Sequence, residues 1–304
     1  MDKERIRHDN SAKGVQKALD TLMLDKPELE NMVNCFGPLL VAKAAFKETC
    51  SLPEELEDQS LHLNTNRFAQ GEPLLTDIGL IDFHEDFKRA AQKLLPPMET
   101  AFIGIKGDIQ KIAQGFADDS INPRECVQAF VGGTPLVLEK TAASTGTTPD
   151  IFNFIIGQLA KPFMEMQSAS LAHLIAGQQW LHGYCPVCGS YAAIAGLIGE
   201  GGKRWLQCAT CGHEWRFDRH TCPKCNDSDH TQHDYFFDKN SPAKAKERVD
   251  ECHACKSYLL TTDLRERTDP VNMEVAALGM VSLDMRAQEK GYMPLASTLW
   301  NSLT

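Results

Sequence analysis

The sequence predicts an α+β protein: an N-terminal all-helical domain, two small four-cysteine metal modules, and a C-terminal helix that packs back on the helical domain. Three observations predict it. Apolar residues before His182 recur at helical spacing. From His182-Gly183 that periodicity stops, and the chain becomes rich in Cys, His, Gly and charge. After Asp269 helical spacing returns. The expected division is residues 1–182, 183–219, 220–268 and 269–304.

In the first part, Met98, Phe102, Ile105, Ile109, Ile112 and Phe116 step by four and three and share one helical face. Pro96 and Pro97 are read as the start of that helix. Thr148-Pro149 reads as an N-cap followed by proline in the first turn, with Ile151, Phe154, Ile155 and Leu159 continuing the helix to Pro162, which should kink or end it. A further helical stretch is expected through Met166 and Leu171 to Trp180, and earlier helices near residues 15–24, 39–49 and 83–95.

Short strands are expected at 203–207, 214–217, 234–237 and 258–261. The last segment offers Asp269 as N-cap, Pro270 in the first turn, and Val271, Val275, Leu278, Ser282 and Met285 along one face. Lys290 and Gly291 close it. Such a helix has nothing of its own to pack on, so it should return to the N-terminal helices.

Charge excludes several function classes. The net charge is −10, and residues 1–182 hold 17 Lys+Arg against 25 Asp+Glu. Residues 183–262 hold 10 of each, so the cysteine-rich part is not a basic nucleic-acid surface. The first ten residues lack the apolar core of a signal peptide, and no stretch reaches the ~18 apolar residues of a membrane span. The expectation is a cytoplasmic protein whose cysteines stay reduced and hold metal rather than form disulfides.

Eight of the eleven cysteines form four pairs with two residues between partners: Cys185/Cys188, Cys208/Cys211, Cys222/Cys225 and Cys252/Cys255. That spacing lets a tight turn present two thiolates while backbone N–H groups point at the sulfurs. Gly189 and Gly212 follow the first two pairs, where a residue tolerating positive φ is wanted. Asn226 suits the third, and Lys256 suits the fourth less well. Two such knuckles make one tetrahedral S₄ site. Sequential pairing groups Cys185, Cys188, Cys208 and Cys211 on one ion and Cys222, Cys225, Cys252 and Cys255 on the other. Pairing first with third and second with fourth is the alternative.

A structural zinc contributes ~10–16 kcal/mol of apparent binding energy, which this apolar-poor region needs in order to fold. Lys203, Arg204, Arg216, Lys224 and Lys256 are placed to offset the −2 charge of a divalent tetrathiolate. An all-thiolate tetrahedron suits zinc and iron equally. Cys-Pro-Val-Cys-Gly and Cys-Pro-Lys-Cys resemble the knuckles of rubredoxin, and zinc ribbons use the same strings.

Residues 185–190, 204–211 and Glu214-Trp215, together with Cys222–Cys225, Cys252 to Leu259, and the tail from Asp269-Pro270 to Tyr292, resemble the formate dehydrogenase accessory protein (FdhE) family over residues 184–293. Gly71-Glu72-Pro73-Leu74-Leu75 is similar to a feature of the family's N-terminal half. The chain departs from the family at Gln207, where His is frequent, and at His213.

The resemblance implies a helical domain followed by two rubredoxin-like modules, and a cytoplasmic accessory protein that contacts the catalytic subunit of formate dehydrogenase. It implies no catalytic residue. A rubredoxin-like electron carrier and a zinc-ribbon nucleic-acid binder are the alternatives. Cys35, Cys50 and Cys126 are expected to pack in the helical part, Trp205 and Trp215 to form the first module's core, and Glu54, Glu55, Glu57 and Asp58 to be a solvated loop.

Overall fold

The computed structural model describes residues 5–56, 61–239 and 246–302. Glu57 and Asp58 lie outside them; Glu54 and Glu55 are exposed, in a single 3₁₀ turn.

The helical half comprises α1 (Ala12–Asp25), α2 (Glu30–Thr49), α3 (Thr65–Ala69), α4 (Leu75–Ile78), α5 (Asp86–Ala101), α6 (Lys106–Ala117), α7 (Pro123–Val131), α8 (Pro135–Thr145) and α9 (Pro149–Leu171). Thr148 caps α9, its side chain accepting from the Ile151 amide. At the centre Phe163 meets Phe87 at 4.5 Å, Phe83 at 4.9 Å and Phe46 at 5.5 Å between ring centroids.

One proline expectation needs correction and another is narrowed. Pro96 and Pro97 lie inside α5, and the break falls at Phe102, which leaves the helical region at φ −125°, ψ 66°. The stripe from Met98 to Phe116 therefore spans two helices joined by a 3₁₀ turn, and Met98, Ile109 and Ile112 are fully buried. Of the two outcomes expected at Pro162, a kink or an end, the end does not occur, and α9 runs on to Leu171. An interior proline costs ~3 kcal/mol. Ile155, Ile156, Leu159, Phe163 and Leu171 on either side of it are fully buried, each contributing about 1.5–3 kcal/mol, so packing wins. The helical stretch expected to reach Trp180 stops at Leu171 and a following 3₁₀ turn.

The cysteine-rich half forms one mixed sheet. Its strands are β1 (Ala192–Ile198), β2 (Lys203–Cys208), β3 (Glu214–Arg216), β4 (His233–Phe236), β5 (Glu247–Cys252), β6 (Ser257–Asp263) and β7 (Met293–Pro294). The order is β3-β2-β1-β6-β5-β4. β1 and β6 run parallel, Ile194 opposite Leu260 and Leu197 opposite Asp263, and this pairing joins the strands of the two cysteine segments. β7 shares the same edge of β6, opposite Ser257 and Tyr258. The four strands expected from sequence are present. β1, β5 and the two-residue β7 were not expected: β1 (Ala-Ala-Ile-Ala-Gly-Leu-Ile) is covered on both faces and shows no alternation, and β5 (Glu-Arg-Val-Asp-Glu-Cys) hides its role among paired charges.

The C-terminal segment is two short helices, not one. α10 (Met273–Leu278) starts after Asn272, whose side chain accepts from the Val275 amide at 3.0 Å, in place of Asp269. α11 (Val281–Glu289) follows a break at Gly279-Met280. α10 packs on α1 and α2 as expected, whereas α11 packs on β5, β6 and β7. Met285 is therefore exposed, and Leu283, Asp284 and Ala287 face inward. Asp284 accepts from Tyr258 Oη at 2.5 Å, Trp300 Nε1 at 3.2 Å and Asn301 Nδ2 at 3.2 Å, tying the chain's end to β6.

Gly183, at the entry to the sheet, has no room for a side chain: a Cβ there would stand 1.9 Å from the Pro223 carbonyl oxygen in the third knuckle. At Gly201 a Cβ would meet nothing within 4 Å. Gly183→Ala should lower the thermal midpoint, a loss of about 1–3 kcal/mol, with Gly201→Ala close to neutral. Equal melting curves for the two variants would refute the close approach.

Candidate metal centres

Each cysteine pair sits at a strand end or in the turn beside it. Cys185 and Cys188 precede β1, Cys208 ends β2, and Cys211 lies in the β2–β3 turn. Cys222 and Cys225 follow β3, Cys252 ends β5, and Cys255 lies in the β5–β6 turn. The turns are alike. Gly189 N–H donates to Cys185 O at 2.9 Å, Gly212 N–H to Cys208 O at 3.2 Å and Asn226 N–H to Cys222 O at 3.0 Å. The residue after each pair has positive φ: Gly189 78°, Gly212 64°, Asn226 58° and Lys256 56°. Lys256 thus takes the conformation that its residue type disfavours.

The sulfurs gather as sequential pairing expects. Cys185, Cys188, Cys208 and Cys211 form one set and Cys222, Cys225, Cys252 and Cys255 the other, with ligand atoms within 4.8 Å of one another in each. In the first set Cys185 and Cys211 sulfurs are 3.5 Å apart, Cys188 and Cys208 3.4 Å. In the second, the Cys222–Cys255 and Cys225–Cys252 separations are 3.7 Å. These are far beyond the ~2.05 Å of a disulfide. They approach the ~3.8 Å edge of a tetrahedron with metal–sulfur bonds of ~2.3 Å. Amides point at the sulfurs, Val187 N–H to Cys185 Sγ and Thr210 N–H to Cys208 Sγ, both at 3.4 Å.

Electrostatics favour a cation in each set. Burial pushes the Cys185 and Cys211 thiols well above their usual range, while hydrogen bonds from Cys185, Cys208 and Cys211 hold Cys188 far below it. In the second set burial, the largest cause, takes Cys252 up to about 12. Burial also works against ionising Cys255, but the Ser257 hydroxyl, 2.9 Å away, and its amide hold that thiol down to about 7. Close thiols divide their charge unevenly because four thiolates repel; a divalent ion removes that conflict. Both sets can hold a metal ion, and the donor chemistry suits zinc and iron alike.

The first centre is docked on the helical half. Leu74 N–H donates to Pro186 O at 2.9 Å and Leu75 N–H to Val187 O at 2.8 Å. Tyr184 Oη donates to Gly71 O at 2.9 Å. The Gly71–Leu75 segment, noticed in the sequence only as a resemblance, is the seat of the first knuckle. Lys161 on α9 donates to Ala209 O, between Cys208 and Cys211, at 2.6 Å. Nothing local in the sequence marks Lys161 or Ser257 for these roles.

Of the five basic residues expected to offset thiolate charge, Arg204 is buried and donates to Asp218 O and to Thr221 O, the latter at 2.5 Å, fixing the approach to Cys222. Lys256 Nζ lies 5.3 Å from the Tyr292 ring centroid, and Arg216 and Lys224 are exposed. Neither cysteine set includes a histidine. Burial pushes His213 down to about 4. Cys126 is buried; Cys35 and Cys50 are half-buried, bonded to Ala101 O and Asp86. Trp215 is buried, its indole N–H donating to His182 O at 3.2 Å, and Trp205 is half-buried.

The site defines a class: a protein with two tetracysteine sets beside one another along one sheet, next to a helical half. Residues 184–219, containing the whole first set, match the family model described as FdhE, central domain. The chain is 27% identical over 160 residues to the "Protein FdhE homolog" of Aquifex aeolicus, covering 52% of this chain and 54% of that one. It is 35% identical over 116 residues to the Pseudomonas aeruginosa homolog, covering 36% of each. The alignable part thus spans about half or less of these curated relatives. The crystal structure of the FdhE protein from Pseudomonas aeruginosa shares the fold, with a TM-score of 0.60 at 18% identity over 99% of this chain and 98% of that one. The resemblance to the FdhE family holds in sequence and in fold. Among the described residues no helix is long and apolar enough to cross a membrane.

The two sets differ in shelter. Cys185, Cys208 and Cys211 are buried with Cys188 half-buried, whereas Cys225 is exposed and Cys255 half-buried. A competing chelator should therefore remove metal in two phases, the faster from the second centre. In Cys225→Ser protein the fast phase should be lost or further accelerated with the slow one unchanged. Release of both ions in one phase would contradict this.

Proposed function

We propose that this chain is an accessory factor for formate dehydrogenase maturation that binds the enzyme's catalytic subunit in the cytoplasm and catalyses no reaction itself. The supporting observation is the FdhE likeness in both sequence and whole-chain fold, carried on two intact tetracysteine sets. On this reading the eight cysteines are metal ligands and the ions hold the segments at 183–219 and 220–268 in shape. The helical part, residues 1–182, and these segments then act together as the client-binding body, with 269–304 bridging them. The even balance of charge in the cysteine-rich part also favours a protein client over nucleic acid.

The test is capture of the client. Tagged full-length chain, purified without oxygen from cells producing a formate dehydrogenase, should carry the catalytic subunit. A Cys185→Ser/Cys188→Ser double variant should carry about tenfold less, because loss of the first ion releases the knuckle seated on residues 71–75. Recovery of the subunit no higher than from a tag-only control would overturn the reading. So would formate oxidation by the isolated chain.

A further inference from the structure

A cleft of about 1230 Å³ runs between the helical half and the first cysteine segment. Its floor is charged and unevenly paired. Lys47 pairs with Glu165, and Lys161 lies 3.3 Å from both Glu165 and Glu274. Lys43 on α2, which also lines the cleft, is only 3% exposed. It makes one hydrogen bond, to Gln158 Oε1 at 2.6 Å, and no ion pair among the described residues. An ammonium has three donors, and Gln158 takes one of them. Burial, the largest cause, pushes Lys43 down to about 8. Glu274 and Glu165 act on it from farther off, but they are paired with Lys161 and Lys47, so three lysines share two carboxylates and one cation is in excess.

The cleft wall supplies a second feature. Glu214, Trp215 and Arg216 of β3 line it, and β3 is the outer strand of the sheet. Cys208 N–H bonds His213 O, and Phe217 N–H bonds Arg204 O. With Leu206 opposite Trp215, this register turns the main-chain groups of His213, Trp215 and Phe217 toward β2. The N–H and C=O of Glu214 and Arg216 therefore point away from it, and among the described residues no strand pairs that edge. Such an edge accepts an added strand. The cleft also exceeds the ~300–1,000 Å³ of ordinary small-molecule sites.

We propose that the cleft receives an extended, acidic polypeptide segment that adds to the free edge of β3 and delivers an Asp or Glu carboxylate to Lys43. This rests on the accessory reading only in assigning the segment to the client. The unpaired ammonium selects for the acid, and the strand edge holds the backbone whatever its other side chains.

The probe is a labelled, end-capped peptide of about eight alternating Val and Thr residues with one central Asp, compared with its Asn isostere by fluorescence anisotropy on the metal-loaded full chain. The Asp peptide should bind about tenfold more tightly. Lys43→Met, which removes this one buried charge and should fold, should erase the preference. Ala169→Trp, which fills the cleft from an exposed position on α9, should weaken both peptides. Equal binding of the two peptides, or a preference that survives Lys43→Met, would overturn the proposal. So would acetate or inorganic phosphate competing at the peptide's own concentration, which would mark a small-anion site instead. Client capture separates the two readings. If the wild-type chain captures the catalytic subunit and both variants capture it equally, the cleft assignment fails and the accessory reading stands. If the wild type captures none while the peptides are discriminated through Lys43, the accessory reading fails and the cleft stands.

Discussion

Eight sulfur atoms gathered in two sets of four, with partners 3.4–3.7 Å apart, are the constraint on which this structure depends. Thiols gathered so closely repel one another when ionised, and a bound cation removes that repulsion. Each set closes a loop between strands: the first joins the start of β1 to the end of β2, and the second joins the approach from β3 to the β5–β6 turn. Parallel pairing of β1 with β6 then makes both sets parts of one sheet.

The helical half is anchored to the first centre by polar contacts as well as packing. The backbone of Leu74 and Leu75 holds the first knuckle, and Lys161 holds the second. Lys161 meets opposing effects. Burial disfavours its charge, but Glu274, Glu165 and Cys208 together keep it protonated above the ordinary lysine range. Glu165 is the counterpart: burial works against it, yet Lys47 and Lys161 hold it down to about 2. This buried network fixes α9, α10 and the metal segment in one relative position, which gives the cleft between them a defined shape. At the other end, Lys290 meets Glu251 of β5 at 2.5 Å and Asp284 gathers the C-terminal residues onto β6.

Much of this was legible in the sequence, for identifiable reasons. The four cysteine pairs carry their own geometry, so both sets and their sequential grouping could be read directly. Thr148-Pro149 announced α9 because capping is local. The misses share another cause. Pro162 sits in α9 because fully buried neighbours outweigh its penalty, which a local rule does not weigh. β1 has no alternation because both faces are covered, and the C-terminal helix splits because its halves serve different surfaces. Lys161 and Lys43 look like ordinary helical lysines until the chain folds around them. Their importance depends on tertiary placement, to which spacing is blind.

The most direct test is X-ray absorption at the metal edge on intact chain purified without oxygen, with metal quantified on the same sample. The account predicts two transition-metal ions per chain, each surrounded by four sulfurs at about 2.3 Å. Fewer than two ions in fully reduced protein, or a first shell containing nitrogen or oxygen in place of sulfur, would contradict it.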